Sequence, residues 1–339
     1  MVTSRHPSPG PTPRWVGLLT AGAAVAATAL VIQYVFDVYS FRRADAAYNA
    51  ADCETAIARF RTLAEGRRLW DFNDFQSRAA ARIQTCEAFL AAIDPAPAPP
   101  LQLLARADFI DRYIEGPLVT VAREQTIALA TDTPPETLAA IALCDRLADL
   151  SADDLIPAEP TPPLLQACGQ TYQAEGQLEA AIAVYQQVLS EYPDHAIVPG
   201  VETALAQSLL AQAKAEGSGD LGDPGFSGYT ADGTTVVEIR NDSPEKMRIV
   251  FSGPEPRFEE IEPCTECETY TGEGPADCPN LGPVQTFTLE PGDYEVLVRS
   301  ISDPSVTPFT GAWSLADGRE YNSCFYLVNS LLPDADDAE

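Results

Sequence analysis

Cations are scarce in this 339-residue chain: 21 Lys and Arg stand against 50 Asp and Glu, a net charge of −29. That balance argues against a nucleic-acid binder, because neutralising phosphates requires clustered Lys and Arg. Histidine is scarcer still. His6 and His195 are too few and too far apart in sequence for a histidine metal site or a histidine-assisted nucleophile. A Gly-rich phosphate loop, a GxSxG elbow, an HExxH helix and a D-x-D-x-D-G calcium loop are all missing. Acidic pairs such as Glu259-Glu260 and Asp153-Asp154 read as solvated surface. A glycosidase-like pair remains open, since its two carboxylates can come from anywhere in a chain. The expectation is a protein that is no enzyme and holds no cofactor or metal. Apolar residues are not lacking: 45% hydrophobic and 8% aromatic content suits a folded chain, so the acidity does not imply disorder.

Acid is missing from the first 36 residues, which hold two cations, Arg5 and Arg14. From Asp37 onward the chain carries −31. Between these parts, Trp15 to Phe36 is a run of 22 residues without a charge. At about 1.5 Å per residue such a run spans roughly 33 Å of helix, enough for a hydrocarbon core. Trp15 and Tyr34 would suit the two interfaces. A cleaved signal peptide is the rival reading, but its apolar core is usually about 7–15 residues, and here Leu30 to Phe36 stays apolar beyond Ala29. Gly17, Ala21, Gly22 and Ala26 give small-xxx-small spacings that would allow homo-oligomerisation through the span, although an Ala-rich span contains such spacings by chance and that is the favoured explanation.

Eight cysteines fall into three even groups: Cys53 with Cys86, Cys144 with Cys168, and Cys264, Cys267, Cys278 and Cys324 together. Even counts in each presumed module suggest disulfides and an oxidising compartment. Pairing within groups leaves three connectivities, all arising in the last group. A redox role for the Cys264-x-x-Cys267 motif is disfavoured by its acidic Pro/Glu loop, where carboxylates would raise a thiol pKa. A four-cysteine zinc site stays open there. With an uncleaved anchor, disulfides place residues 1–14 in the cytoplasm, 15–36 in the membrane, and the body in the periplasm or outside the cell.

The clearest pattern is Pro162 to His195, PPLLQACGQTYQAEGQLEAAIAVYQQVLSEYPDH. Leu165, Cys168, Gly169 and Tyr172 recur at helical spacing, Glu175-Gly176-Gln177 makes a turn, and Leu178, Ala181, Ile182, Tyr185 and Val188 follow to a stop at Pro193. Small residues at Gly169 and Ala181 and aromatics at Tyr172 and Tyr185 give a spacing that resembles the tetratricopeptide repeat. Val188 and Cys168 depart from the family's usual residues. A weaker echo is Ala46 to Gly66, with Ala51 where the turn glycine belongs, and a third candidate is Leu103 to Ala130. Further helices are expected at Asp71–Ile93, Pro135–Leu150 and Val201–Ala215, the last as a cap, with Pro-rich joints at Asp94–Pro100 and Ile156–Pro163. The resemblance implies an all-α solenoid over 37–215 that binds a protein or peptide through the first helix of each unit. On that helix Gln166, Gln170 and Gln173 share one face and would hydrogen-bond an extended backbone, although a simple solvated face is the favoured explanation.

After Ala215 the composition changes. Residues 216–235 are Gly- and Asp-rich and read as a linker. Strand-like runs start at Val236, Lys246, Gln285, Asp293, Phe309 and Tyr321, separated by turn signals, and predict an antiparallel β-sandwich over 236–330 before an acidic tail, 331–339. Leu289 to Val298, LEPGDYEVLV, resembles the closing hairpin of many small extracytoplasmic sandwich modules. Trp313, Tyr321, Phe325 and Tyr326 read as core or as a sugar platform. The sequence thus predicts a multidomain α plus β protein: a single transmembrane helix, a repeat solenoid and a C-terminal sandwich. Its expected role is non-enzymatic protein–protein interaction in the cell envelope, with polysaccharide or surface-ligand binding by the sandwich as the alternative.

Overall fold

The computed structural model describes residues 14–66, 70–272 and 274–329, the side chains of 14–24 and of residue 72 excepted. The tail 331–339 and residues 1–13 lie outside that set. The chain divides into two units: residues 1–138 with 146–157, and residues 139–145 with 158–339.

The first unit is helical. Its long helix α1 (Arg14–Asn49) is followed by α2 (Cys53–Ala64), α3 (Phe75–Ala92), α4 (Pro99–Tyr113), α5 (Pro117–Asp132) and the single turn α6 (Pro135–Leu138). Proline opens α4 and α5, where its fixed φ fits and its missing N–H goes unused. In α1, Phe41, Ala44 and Tyr48 repeat at helical spacing and are buried. Phe41 meets Phe60 of α2 and Phe75 of α3, with ring centroids 5.4 and 5.2 Å apart. A Cys53–Cys86 disulfide ties α2 to α3, and Phe89 meets Phe109 of α4 at 5.6 Å. Asp52 caps α2 by accepting the Thr55 N–H at 3.1 Å.

Trp15–Phe36, the stretch expected to cross a membrane, forms the first part of α1. Among the described residues, no helix is long and apolar enough to cross a membrane, so the span is not supported there. From Val25, the first residue of α1 whose side chain is described, the uncharged run lasts 12 residues to Phe36, and Asp37, Arg42, Arg43 and Asp45 follow. The small-residue positions Gly17, Ala21 and Gly22 fall where no side chain is described.

The single helix expected at Pro135–Leu150 is instead three short pieces: α6, α7 (Ile141–Cys144) and α8 (Leu147–Ala152). Tertiary bonds explain the break. Extended backbone at Ala140 separates α6 from α7. The middle piece is drawn onto α9 (Thr161–Ala174) by the Cys144–Cys168 disulfide and by Thr171 Oγ1, which donates to the Ala139 carbonyl at 3.0 Å. The piece α7 therefore belongs to the second unit, while α8 stays with the first.

The second unit joins α7, α9, α10 (Leu178–Glu191) and α11 (Val198–Ala215) to the strands. One sheet has the order β1 (Gly219–Asp220), β9 (Phe309–Leu315), β8 (Gly292–Ser300), β4 (Met247–Ser252), β5 (Arg257–Ile261). The other runs β2 (Gly225–Tyr229), β10 (Arg319–Phe325), β3 (Thr235–Asn241), β7 (Val284–Leu289), and a short pair joins β11 (Val328–Asn329) to β6 (Tyr270–Thr271). The residues 216–235, read as linker, supply β1 and β2. Strand β5 was not foreseen because RFEEI carries three charges; Arg248 on β4 answers Glu260 across the ladder at 2.6 Å.

The sandwich is not wholly antiparallel. The β3–β10 ladder is parallel over six residues, as is β1–β9 over two. Parallel pairing needs a long crossover, and the whole of β4–β9 lies between β3 and β10 in the chain. Val237, Ile239, Phe251, Phe287, Tyr294, Val296 and Trp313 form the dry interior between sheets. By strand alternation Val250 and Leu297 point away from that interior, yet both are fully buried. Helix α11 packs against β4, β8 and β9 and covers that outer face. Lys214 pairs with Glu295 at 2.8 Å and Arg299 with Glu216 at 3.5 Å along the same contact.

Candidate peptide-binding face

Helix α9 starts at Thr161-Pro162-Pro163 and ends in a Schellman turn. Gly176 takes φ +73, its N–H meets the Gln173 carbonyl at 3.1 Å, and the Gln177 N–H reaches the Tyr172 carbonyl at 2.8 Å. The chain reverses there into α10. Gly169 is where the two helices touch: a Cβ at this position would lie 2.3 Å from the Tyr185 ring. Tyr185 is fully buried, and its hydroxyl donates to Gln173 Oε1 at 3.2 Å. Tyr172, one turn beyond Gly169 on α9, donates to the Asp145 carboxylate at 2.7 Å. Burial pushes the Tyr185 hydroxyl up to about 12. Burial, reinforced by the bond to Asp145 and its charge, pushes Tyr172 to about 12 as well.

Residues 169–195 match the family model for the tetratricopeptide repeat. The chain contains a tetratricopeptide repeat. No curated protein matches the chain. The repeat comprises the end of α9, all of α10 and the turn that follows. Helix α11 packs against α10 and also against strands β4, β8 and β9.

The three glutamines on α9 are not equivalent. Gln170 is exposed. Gln173 is half-buried and engaged through its carbonyl by Tyr185. Gln166 Nε2 lies beside Gly200 of α11, where a Cβ would come within 3.2 Å of it. Of the three amides, Gln170 is thus exposed, Gln173 is bonded to Tyr185, and Gln166 lies beside α11. The surroundings are acidic: residues 158–217 carry seven carboxylates and one cation, Lys214.

The weaker echo in the sequence has the same turn in structure. At the α1–α2 junction Ala51 takes φ +59, its N–H meets the Tyr48 carbonyl at 3.0 Å and the Asp52 N–H meets the Ala47 carbonyl at 3.0 Å. The third candidate, α4–α5, turns differently, with Ile114 at φ +50 and Gly116 at φ +130.

All eight cysteines are paired. Besides the two pairs already given, Cys264 joins Cys267 and Cys278 joins Cys324 of β10. Among the described residues no group of His, Cys, Asp and Glu is placed to hold a metal. The sugar-platform reading is corrected. Trp313 is 1% exposed and its indole N–H donates to the Gly222 carbonyl at 2.9 Å. Tyr321 and Phe325 are buried in the same interior, and Tyr326 turns toward the loop, donating to the Pro275 carbonyl at 3.2 Å. Strand alternation puts Trp313, Tyr321 and Phe325 inside, because both inner faces must be apolar.

Two features escaped the sequence reading. Asn241, Asp242 and Ser243, read as a turn signal, are fully buried. The Asp242 carboxylate accepts the backbone N–H groups of Asn280, Leu281 and Gly282 at 3.2, 2.8 and 2.7 Å, fixing the long loop that carries Cys264, Cys267 and Cys278. An N-D-S-P string looks like any solvent turn until a second segment folds over it. The other is an exposed aromatic pair on the edge strand β2, Phe226 and Tyr229, with centroids 5.2 Å apart and the Arg319 guanidinium 5.8 Å from Phe226. They lie in the segment read as linker.

Proposed function

We propose that this is a non-enzymatic, membrane-anchored interaction protein of the cell envelope. Its repeat would hold an extended, basic segment of a protein partner. The repeat match over residues 169–195, with α11 facing α9, carries this reading. Support for the partner's sign comes from the seven-to-one excess of acid around the repeat. Support for the location comes from the uncharged run Trp15–Phe36 and from four disulfides, which persist in oxidising compartments. A second reading, glycan or surface-ligand binding by the sandwich, now rests on Phe226 and Tyr229, since Trp313 is inside.

One experiment separates them. A photoreactive residue replaces Gln170 in one full-length variant and Tyr229 in another, and both are crosslinked in native membranes. The interaction reading expects protein adducts from position 170, at peptides rich in Lys and Arg. Adducts with polysaccharide from position 229, and none with protein from 170, favour the second reading. Only lipid and self adducts from both positions reject the two together.

A further inference from the structure

Within α1, the residues just before the packed part present an apolar surface to solvent. Val31, Ile32, Val35, Phe36 and Tyr39 are between 61% and 65% exposed. Ile32, Val35, Phe36 and Tyr39 follow i, i+3, i+4, i+7 spacing and so form one stripe. Two residues beyond Tyr39, Phe41 is buried against α2 and α3. A water-facing surface rarely gathers this much large apolar area.

Trp70, in the connection between α2 and α3, lies beside this part of α1. Gln33 Nε2 donates to the Trp70 carbonyl at 2.7 Å, which holds that backbone beside α1 one turn before Asp37. The Trp70 side chain is nevertheless 65% exposed. Indole and phenol rings, apolar bodies with a polar handle, are the side chains that suit the boundary between water and lipid.

Charge points the same way. Residues 37–93, which contain α2, α3 and the packed part of α1, hold eight Arg and eight acidic residues and are neutral. Residues 94–339 hold 11 cations and 42 acids, so the entire −31 of the body lies there. Arg42 and Arg43 are exposed directly after the stripe. The neutral, Arg-rich helices are the part of this acidic chain that an anionic surface would tolerate. The stripe is also continuous in sequence with the uncharged residues reaching back to Trp15.

We propose that Trp70, with Phe36 and Tyr39, enters the headgroup layer of an anionic bilayer and gives the first helical unit a lipid contact of its own. The proposal rests on the membrane-anchored reading above and adds to it a second, interfacial attachment.

The test uses the full chain reconstituted in vesicles of phosphatidylcholine and phosphatidylglycerol, with lipids brominated either near the headgroup or near the chain end. Trp15→Phe leaves Trp70 and the buried Trp313 as emitters, and Trp15→Phe with Trp70→Phe provides the blank. Headgroup-proximal bromine is expected to quench the Trp70 component at least about twofold more than deep bromine. Quenching no greater than the blank, in protein that floats with the vesicles, overturns this inference and leaves the anchor standing. Failure to float overturns the anchored reading itself. Trp70 shielded from aqueous iodide but not quenched by lipid, in a species of doubled mass, also overturns the proposal and assigns the stripe to a second copy.

Discussion

At Ala51 an L-residue occupies the left-handed position that Gly176 fills in the repeat, with φ +59 against +73. A Cβ there is strained against the neighbouring carbonyl, whereas glycine carries no such strain. Ala51→Gly is therefore expected to stabilise the first unit by roughly 0.5–1 kcal/mol, seen as a higher urea midpoint with unchanged slope. A midpoint that falls would show that the turn is not held in that conformation. The opposite applies to Gly169. Its added methyl would meet Tyr185, which is buried and tethered to Gln173, so the ring has nowhere to swing. Gly169→Ala should cost about 1–3 kcal/mol, and pairing it with Tyr185→Leu should recover part of the loss. No recovery in the double variant would mean that the contact between these two positions is not the cause.

On the scale of elements, the repeat hairpin was legible because its signals are local: Gly at the turn, small residues at the crossing and aromatics at helical spacing. The segment 135–150 was not legible, since its breaks come from a disulfide and a hydrogen bond to α9, a different stretch of chain. Burial gives the α9–α10 hairpin a pH response. Tyr172 and Tyr185 both stand at about 12, against an ordinary value of 10.0. Between those values the folded chain keeps protons that the unfolded chain releases, so their contribution is complete below pH 10 and is lost as pH rises through 12. Unfolding midpoints measured from pH about 9 to about 11.5 should fall, and Tyr172→Phe with Tyr185→Phe should flatten that slope. An unchanged slope in the double variant would exclude these hydroxyls as its origin.

The molecule as a whole carries its acid unevenly. Beyond residue 93, 42 carboxylates face 11 cations, and like charges at that density repel in the folded state. Screening should relieve this: raising ionic strength from about 0.01 to about 0.15 M shortens the Debye length from about 30 to about 8 Å. Thermal unfolding is expected to shift upward over that range. A downward shift would show that the exposed ion pairs, such as Lys246 with Glu260 and Glu262, outweigh the repulsion. The charge imbalance first read as a single figure for the chain is thus a property of one part of it, and it bears on stability and on the sign of a partner.

Sequence alone determined the helical hairpin of the repeat, the alternation of most sandwich strands and the even grouping of cysteines, because each is written in neighbouring residues. Tertiary structure decided what depends on distant segments meeting. It joined Cys278 to Cys324, placed β10 parallel to β3, buried the Asn241-Asp242-Ser243 turn beneath a loop, and put Trp313 in the interior. It also gave α11 a double use, as the helix following the repeat and as the cover of a sheet. No local period can report that, since the residues that need covering, Val250 and Leu297, are contributed by strands far along the chain.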